Sequence, residues 1–457
     1  MKIKKINLVL CCLFSLILVS GCKSKKAETN TKTVKISWRA TREGDSMRSL
    51  LNQRWISNFE KKHPKIKIKL EPIYASESDY YSKLQLSMSS GKSTPDIVNE
   101  DSFILSSDAR AGYLLSLDNY LKKWKDWDEY YPSLKIGGQG ADGKQYGIPG
   151  TTDSRGIWTN TKVLEEAGIP ADWSPHSWKD ILDAANKIKK SLKDDTIPFA
   201  MAVSTTNGES VSMQTFEMLL YGTGEELYNA QKDKWIVGSK GILDSFKFIN
   251  DIYNIYKVGP SLSVAMNSNY GSVIFNDLIT KNKVGMALDG NWDSGNWGPD
   301  GISPVKNYEK VIKFNLMPTE YGKKPGFVTM SGGWTWSIPK KSKNHKAAFE
   351  VLKAMNSNET TINRTKIEGT LAVRKDVSKN SQYTNKPYIE QSTKALENAY
   401  FRPKSDEYPK VSVVIQQLVE SVASGAISPE KAANQYSEKI EKIVGNDHVI
   451  NISEEKK

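Results

Sequence analysis

Several short stretches of the chain set an aromatic ring beside groups that form strong hydrogen bonds. They are Trp38-Arg39, Gly290-Asn291-Trp292-Asp293, Gly295-Asn296-Trp297 and Gly332-Gly333-Trp334-Thr335-Trp336. Two others, Asn99-Glu100-Asp101 and Thr152-Asp153, place carboxylates where a strand or turn would end. An indole face covers patches of C–H, while carboxylates, amides and guanidinium groups exchange hydrogen bonds with hydroxyls. The same residues also have plainer uses. Trp38 can fill a core, Asp101 can cap a helix over 102–110, and Asp153 can cap the turn at Ser154-Arg155. Two carboxylates in one cleft can also serve as the acid and base of glycoside cleavage.

The scarce residue types exclude other chemistry. Three Cys and 4 His cannot build a zinc-finger array or a disulfide scaffold. His63, His176, His345 and His448 form no triad or metal-binding spacing, so neither a metal nor a cofactor is expected. With 38% hydrophobic and 25% charged residues, the chain reads as a soluble globular protein rather than a disordered one.

These groups need a scaffold. Val34 to Trp38 alternates as a strand, and Met47, Leu50, Leu51, Ile56 and Phe59 share one face of a helix capped at Asp45 or Ser46. Ile66, Ile68 and Leu70 alternate with lysines as a second strand, and Pro95-Asp-Ile-Val98 opens a third. Strand, helix and strand at this spacing suggest an α/β sheet of βαβ type. Helices are expected over 178–192, 242–256, 345–355 and 411–423, with strands over 284–288 and 334–338. Ser428-Pro429-Glu430 opens a last helix with a cap and a proline at its first position.

The N-terminus reads separately. Lys2, Lys4 and Lys5 precede an apolar run from Leu8 to Val19, which is too short to span a bilayer but suits a signal peptide over 1–21. Val19-Ser20-Gly21-Cys22 resembles a bacterial lipobox, which makes Cys22 the expected lipid anchor and 22–33 a tether. Cys11 and Cys12 would leave with the signal, so no free thiol would remain. These two segments also hold about half of the net charge of +12, and the case for nucleic-acid binding lapses with them.

Several segments together resemble a known family. They are Phe59 to Lys69, Pro95 to Val98, Tyr146-Gly-Ile-Pro149 with Trp158-Thr-Asn160, Ala167 to Pro170, Ser177 to Leu182, Ser331 to Pro339, Leu371 to Lys375 and Ser424 to Pro429. In this order they are similar to the extracellular solute-binding proteins of bacterial ABC importers, in the sugar-binding branch. The resemblance implies an α/β, two-lobed periplasmic-binding-protein-like fold of type II, with crossing strands and a cleft between the lobes. It implies lobe I over 34–149 and 289–331 and lobe II over 150–288 and 332–457, closing about crossings near 150–153, 287–290 and 330–333. It implies a non-catalytic monomer, held by its lipid on the outer face of the cell membrane, that passes a carbohydrate to a membrane permease. The ligand contacts it implies are Trp38, Arg39, Asp101, Asp153, Asn291, Trp292 and Trp334. A peptide, a polyamine or a phosphate ester is the alternative solute. Arg374 and Arg402 read as ion-pairing residues, and 204–225 is expected near the cleft. Trp297 reads either as a second platform or as simple loop packing.

Overall fold

The computed structural model describes residues 31–40, 45–91, 93–192 and 195–455. The leader 1–21 and Cys22 therefore lie outside the described residues. The expected tether ends sooner than 33, because Lys32 and Thr33 already pair with Ile66 and Lys67.

In chain order the first sheet receives Lys32–Ser37 (β1), Ile66–Leu70 (β2), Ile97–Asp101 (β3) and Gly147–Pro149 (β4). The second receives Arg155–Asn160 (β5), Ile197–Ala200 (β6), Val284–Gly290 (β7), Ile312–Pro318 (β8) and Phe327–Met330 (β9). Trp334–Ser337 (β10) then returns to the first sheet, and Ala399–Tyr400 (β11) closes the edge of the second. The sheet orders are β2-β1-β3-β10-β4 and β11-β9-β8-β5-β7-β6. In the first, β1 is parallel to β2 and β3, and β10 runs antiparallel to both neighbours.

Patterning explains the local elements. Val34 and Ile36 alternate inward on β1, whereas β7 is buried along its whole length, as befits an inner strand covered on both faces. The helix expected from Asp45 to His63 is two helices, Ser46–Leu50 and Gln53–Lys62. Asn52 divides them: its side chain accepts from the backbone N–H of Arg54 and Trp55, starting a new helix where a continuous one would have run. Ser177 and Asp180 form a reciprocal capping box at the start of Trp178–Ser191. Ser428 caps Pro429–Val444 as its sequence predicts.

Each sheet carries its own apolar core. Trp158 stands at the centre of the second, with Trp297 edge-on at 4.7 Å and 88°, and with Phe314 and Tyr388 at 4.8 and 5.0 Å. Burying an apolar side chain of this class contributes about 1.5–3 kcal/mol. Val34, Ile36, Ile148, Trp336 and the inner face of His345–Met355 fill the first.

The lobe boundaries differ from the expected ones. Strand β7 stays in register with β5 to its last residue, Gly290 opposite Arg155, so 291–330 continues on the second lobe instead of crossing. Strand β10 pairs with β3 from Trp334↔Asp101 to Ser337↔Val98, so 334–373 belongs to the first lobe and not the second. The chain crosses at 150–154 and 331–333. It crosses a third time beyond Tyr383, because Ile389–Ala395 already packs against β8. No crossing exists at 287–290.

Candidate ligand-binding site between the lobes

Both sheets direct strand ends at the junction. Asp101 ends β3 opposite Trp334, and the Ser102 N–H donates to the Gly333 carbonyl at 3.1 Å. Gly290 ends β7 opposite Arg155, the first residue after the 150–154 crossing. Ligands of open α/β sheets bind outside such carboxyl ends. The crossings run very close together here. Gly333 sits at φ 140, and a Cβ on it would lie 2.2 Å from the Thr151 carbonyl oxygen, so only glycine fits.

The first lobe offers an aromatic wall. Half-buried Trp334 stacks on Tyr81 at 6.4 Å and 16°, and meets Tyr80 edge-on at 6.0 Å. Tyr81 in turn meets Phe103 edge-on at 5.0 Å. From the second lobe, half-buried Trp292 lies so close to Gly290 that a Cβ there would be 1.9 Å from the ring. The Arg155 guanidinium stands 4.8 Å from the Trp292 centroid.

Between these surfaces the charges interleave. Asp153 forms an ion pair with Arg155 and also accepts from the Gly332 N–H at 2.9 Å. Arg402 pairs with Asp101, reaches Glu209 at 3.1 Å and donates to Ser102 Oγ at 3.0 Å. Burial works against the charge of Arg402, and Asp101 and Glu209 more than offset it, so the guanidinium stays above its ordinary range. Behind it, the Tyr408 hydroxyl lies 2.6 Å from Glu217 and 3.1 Å from Glu209. Burial pushes the Glu217 carboxyl up to about 8.

The structure thus brings Asp101, Asp153, Trp292 and Trp334 to one place. Arg39 is half-buried beside this wall, and its charge acts on the Tyr80 hydroxyl. Other expected contacts serve the framework. Trp38 is 2% exposed in the first core, and its indole N–H donates to Asp45 at 3.0 Å. Asn291 accepts from the Ser154 N–H at 2.9 Å and donates to the Gly369 carbonyl at 2.7 Å. It is a clasp between the crossing and the first lobe, its oxygen and its amide nitrogen each bonded to backbone. Trp297 is fully buried and donates to the Phe275 carbonyl at 2.7 Å. Arg374 bridges Asp126 and Asp376 in the first lobe, away from the junction. Sequence reasoning missed Tyr81, Phe103, Arg155 and Glu209. Phe103 and Arg155 each follow a singled-out carboxylate by two residues, which is the one signal that could have found them.

Among the described residues no cluster of three or more His, Cys, Asp or Glu could hold a metal, and no helix is long and apolar enough to cross a membrane.

Comparison with known proteins agrees with this architecture. An ABC transporter solute-binding protein from Thermotoga lettingae, solved with α-D-tagatose, superposes with a TM-score of 0.78 at 26% identity, over 91% of this chain and 100% of that one. A maltose-bound binding protein of T. maritima gives 0.76 at 20% identity, over 90% of this chain and all of that one. The arabinooligosaccharide-binding protein of Bacillus subtilis is 21% identical over 76% of this chain and 74% of its own length. The sequence profile of one family matches residues 40–362. The chain belongs to the bacterial extracellular solute-binding proteins.

Proposed function

We propose that this protein captures a neutral sugar or oligosaccharide between its lobes and hands it to an ABC permease. The observation that carries this reading is the pairing of an aromatic wall (Trp334, Tyr81, Phe103) with a floor of ion-paired groups. Asp153 faces Arg155, and Asp101 and Glu209 share Arg402. Rings cover the C–H faces of a sugar, and ion-paired groups keep lone pairs and N–H groups for its hydroxyls. A polyamine would need unpaired carboxylates, whereas these three already lie against guanidinium groups. The same pairing speaks against glycoside cleavage, since Asp101 and Asp153 are both already engaged by guanidinium groups. The sugars named for the similar proteins from T. lettingae, T. maritima and B. subtilis support the same class.

Titration by intrinsic Trp fluorescence against neutral mono- and oligosaccharides, hexuronates and polyamines tests the reading. Saturable binding of a neutral sugar with no product formed over hours supports it. Binding confined to amines overturns it. We further propose that Cys22 carries the lipid that keeps a monomeric protein on the outer face of the membrane. Palmitate labelling should vanish in Cys22→Ala, and persistent labelling would refute the anchor.

A further inference from the structure

Arg402 touches both lobes at once. It follows β11 on the second lobe, and its guanidinium reaches Asp101 at the end of β3 on the first. Its two carboxylate partners are held very differently. Glu209 is fixed by its own lobe: Arg402 and the Tyr408 hydroxyl lie 3.1 Å from it, the Ser212 hydroxyl 3.3 Å, and the Ser412 hydroxyl bonds it too. The Asp101 carboxylate, by contrast, among the described residues otherwise bonds only its neighbours, the Phe103 N–H at 3.2 Å and the Ser102 hydroxyl at 3.4 Å. Parting the lobes would therefore cut one of the two charge pairs of Arg402 and its bond to Ser102, leave it seated on Glu209, and return Asp101 to water with its local bonds intact.

We infer that Arg402 is a positioning residue that latches the lobes closed, with Asp101 as its detachable partner. The surroundings fit this role. The guanidinium lies 4.9 Å from the Phe103 centroid, and Phe103 meets Tyr408 edge-on at 6.1 Å. Arg110 and Asp406 form a second ion pair farther out on the same seam. All of these contacts join 101–110 to 402–408. The latch also touches a hinge, since a Cβ on Gly332 would lie 3.0 Å from Arg402 Nη2. A latch that raises the closed fraction tightens the apparent affinity for any ligand by the same factor.

The test needs no ligand, so its outcome is independent of the sugar reading. The chain from Lys23 onward has no native thiol. Spin labels on Ser82→Cys in the first lobe and Gln417→Cys in the second, both exposed, report the interlobe distance by pulsed dipolar resonance. A closed population is expected in the ligand-free parent. Asp101→Asn and Arg402→Met should each lower the closed-to-open ratio about tenfold, or about 1.4 kcal/mol. The rim variant Asp406→Asn should lower it less. If Arg402→Met does not fold, Asp101→Asn and Asp406→Asn carry the test. An unchanged ratio in the variants that fold overturns the latch.

Discussion

Replacing Asn291 by alanine separates two accounts of one residue. Read from the sequence, Asn291 is a ligand contact next to Trp292. In the structure it is 2% exposed, and both ends of its amide are engaged, one by the Ser154 N–H and one by the Gly369 carbonyl. Alanine would take the partner from the buried Ser154 N–H and from the half-buried Gly369 carbonyl. Each such orphan costs roughly 1–3 kcal/mol, so the pair costs about 2–6 kcal/mol with no water entering. For a lobe of this size that is a fall of about 4–24 °C in melting temperature. Asn291→Asp refines the test, because its oxygen can still accept from Ser154 while a carboxylate now faces the Gly369 carbonyl. It should be at least as destabilising as alanine. The assay is differential scanning calorimetry with and without sugar, alongside a titration well below the melting range. The clasp predicts a large loss of stability and less than about a fivefold change in Kd. A normal melting temperature with a hundredfold weaker Kd would overturn the clasp and restore Asn291 as a contact.

The other tryptophans should divide in the same way. Trp334→Ala removes a stacking partner of Tyr81 and should weaken sugar binding about tenfold, consistent with an aromatic contact of about 0.5–1.5 kcal/mol; unchanged affinity would remove Trp334 from the site. Trp38→Phe loses the bond to Asp45 and should lower stability by about 1 kcal/mol with affinity intact, as denaturant melts and titration would show together. The pH profile follows from burial. Burial holds Asp108 and Glu368 up to about 7 and Glu217 up to about 8. Such groups bind a proton more tightly folded than unfolded, so their contribution is complete below about pH 4 and is lost as pH rises through 7–8. Each costs up to ~1.4 kcal/mol per pH unit within that window. Lys386, which burial holds down to about 7, works the other way above that pH. Melting temperature should fall most steeply between pH 5 and 7, and a rise across that range would contradict the assignment.

Much of the scaffold was legible because period and punctuation agree. Ser428-Pro429 marks a helix start that needs no tertiary help, and Val34, Ile36, Ile66 and Ile68 alternate as paired strands must. What was not legible depends on partners far away in the chain. Nothing near 334 reveals that it pairs with Asp101 rather than with the sheet formed just before it, so the lobe boundaries came out exchanged. Asn52 ended a helix that the apolar pattern alone would have continued, because a local side-chain bond outweighed the periodicity. In the site, Trp292 and Trp334 stood out by type and by neighbouring glycines. Tyr81 lies inside the ordinary-looking helix Glu77–Ser90, and Glu209 gains its meaning only from Arg402, 193 residues away.

A neutral sugar held between the Trp334 wall and Trp292 is directly observable. The most direct measurement is a crystal structure with the tightest-binding saccharide of the titration panel. Sugar density is expected bounded by Trp334 and Tyr81 on one lobe and by Trp292 on the other, with hydroxyls within hydrogen-bonding distance of the Asp153–Arg155 and Asp101–Arg402 pairs. Sugar bound elsewhere, or a junction that stays free of it at saturation, would contradict that placement.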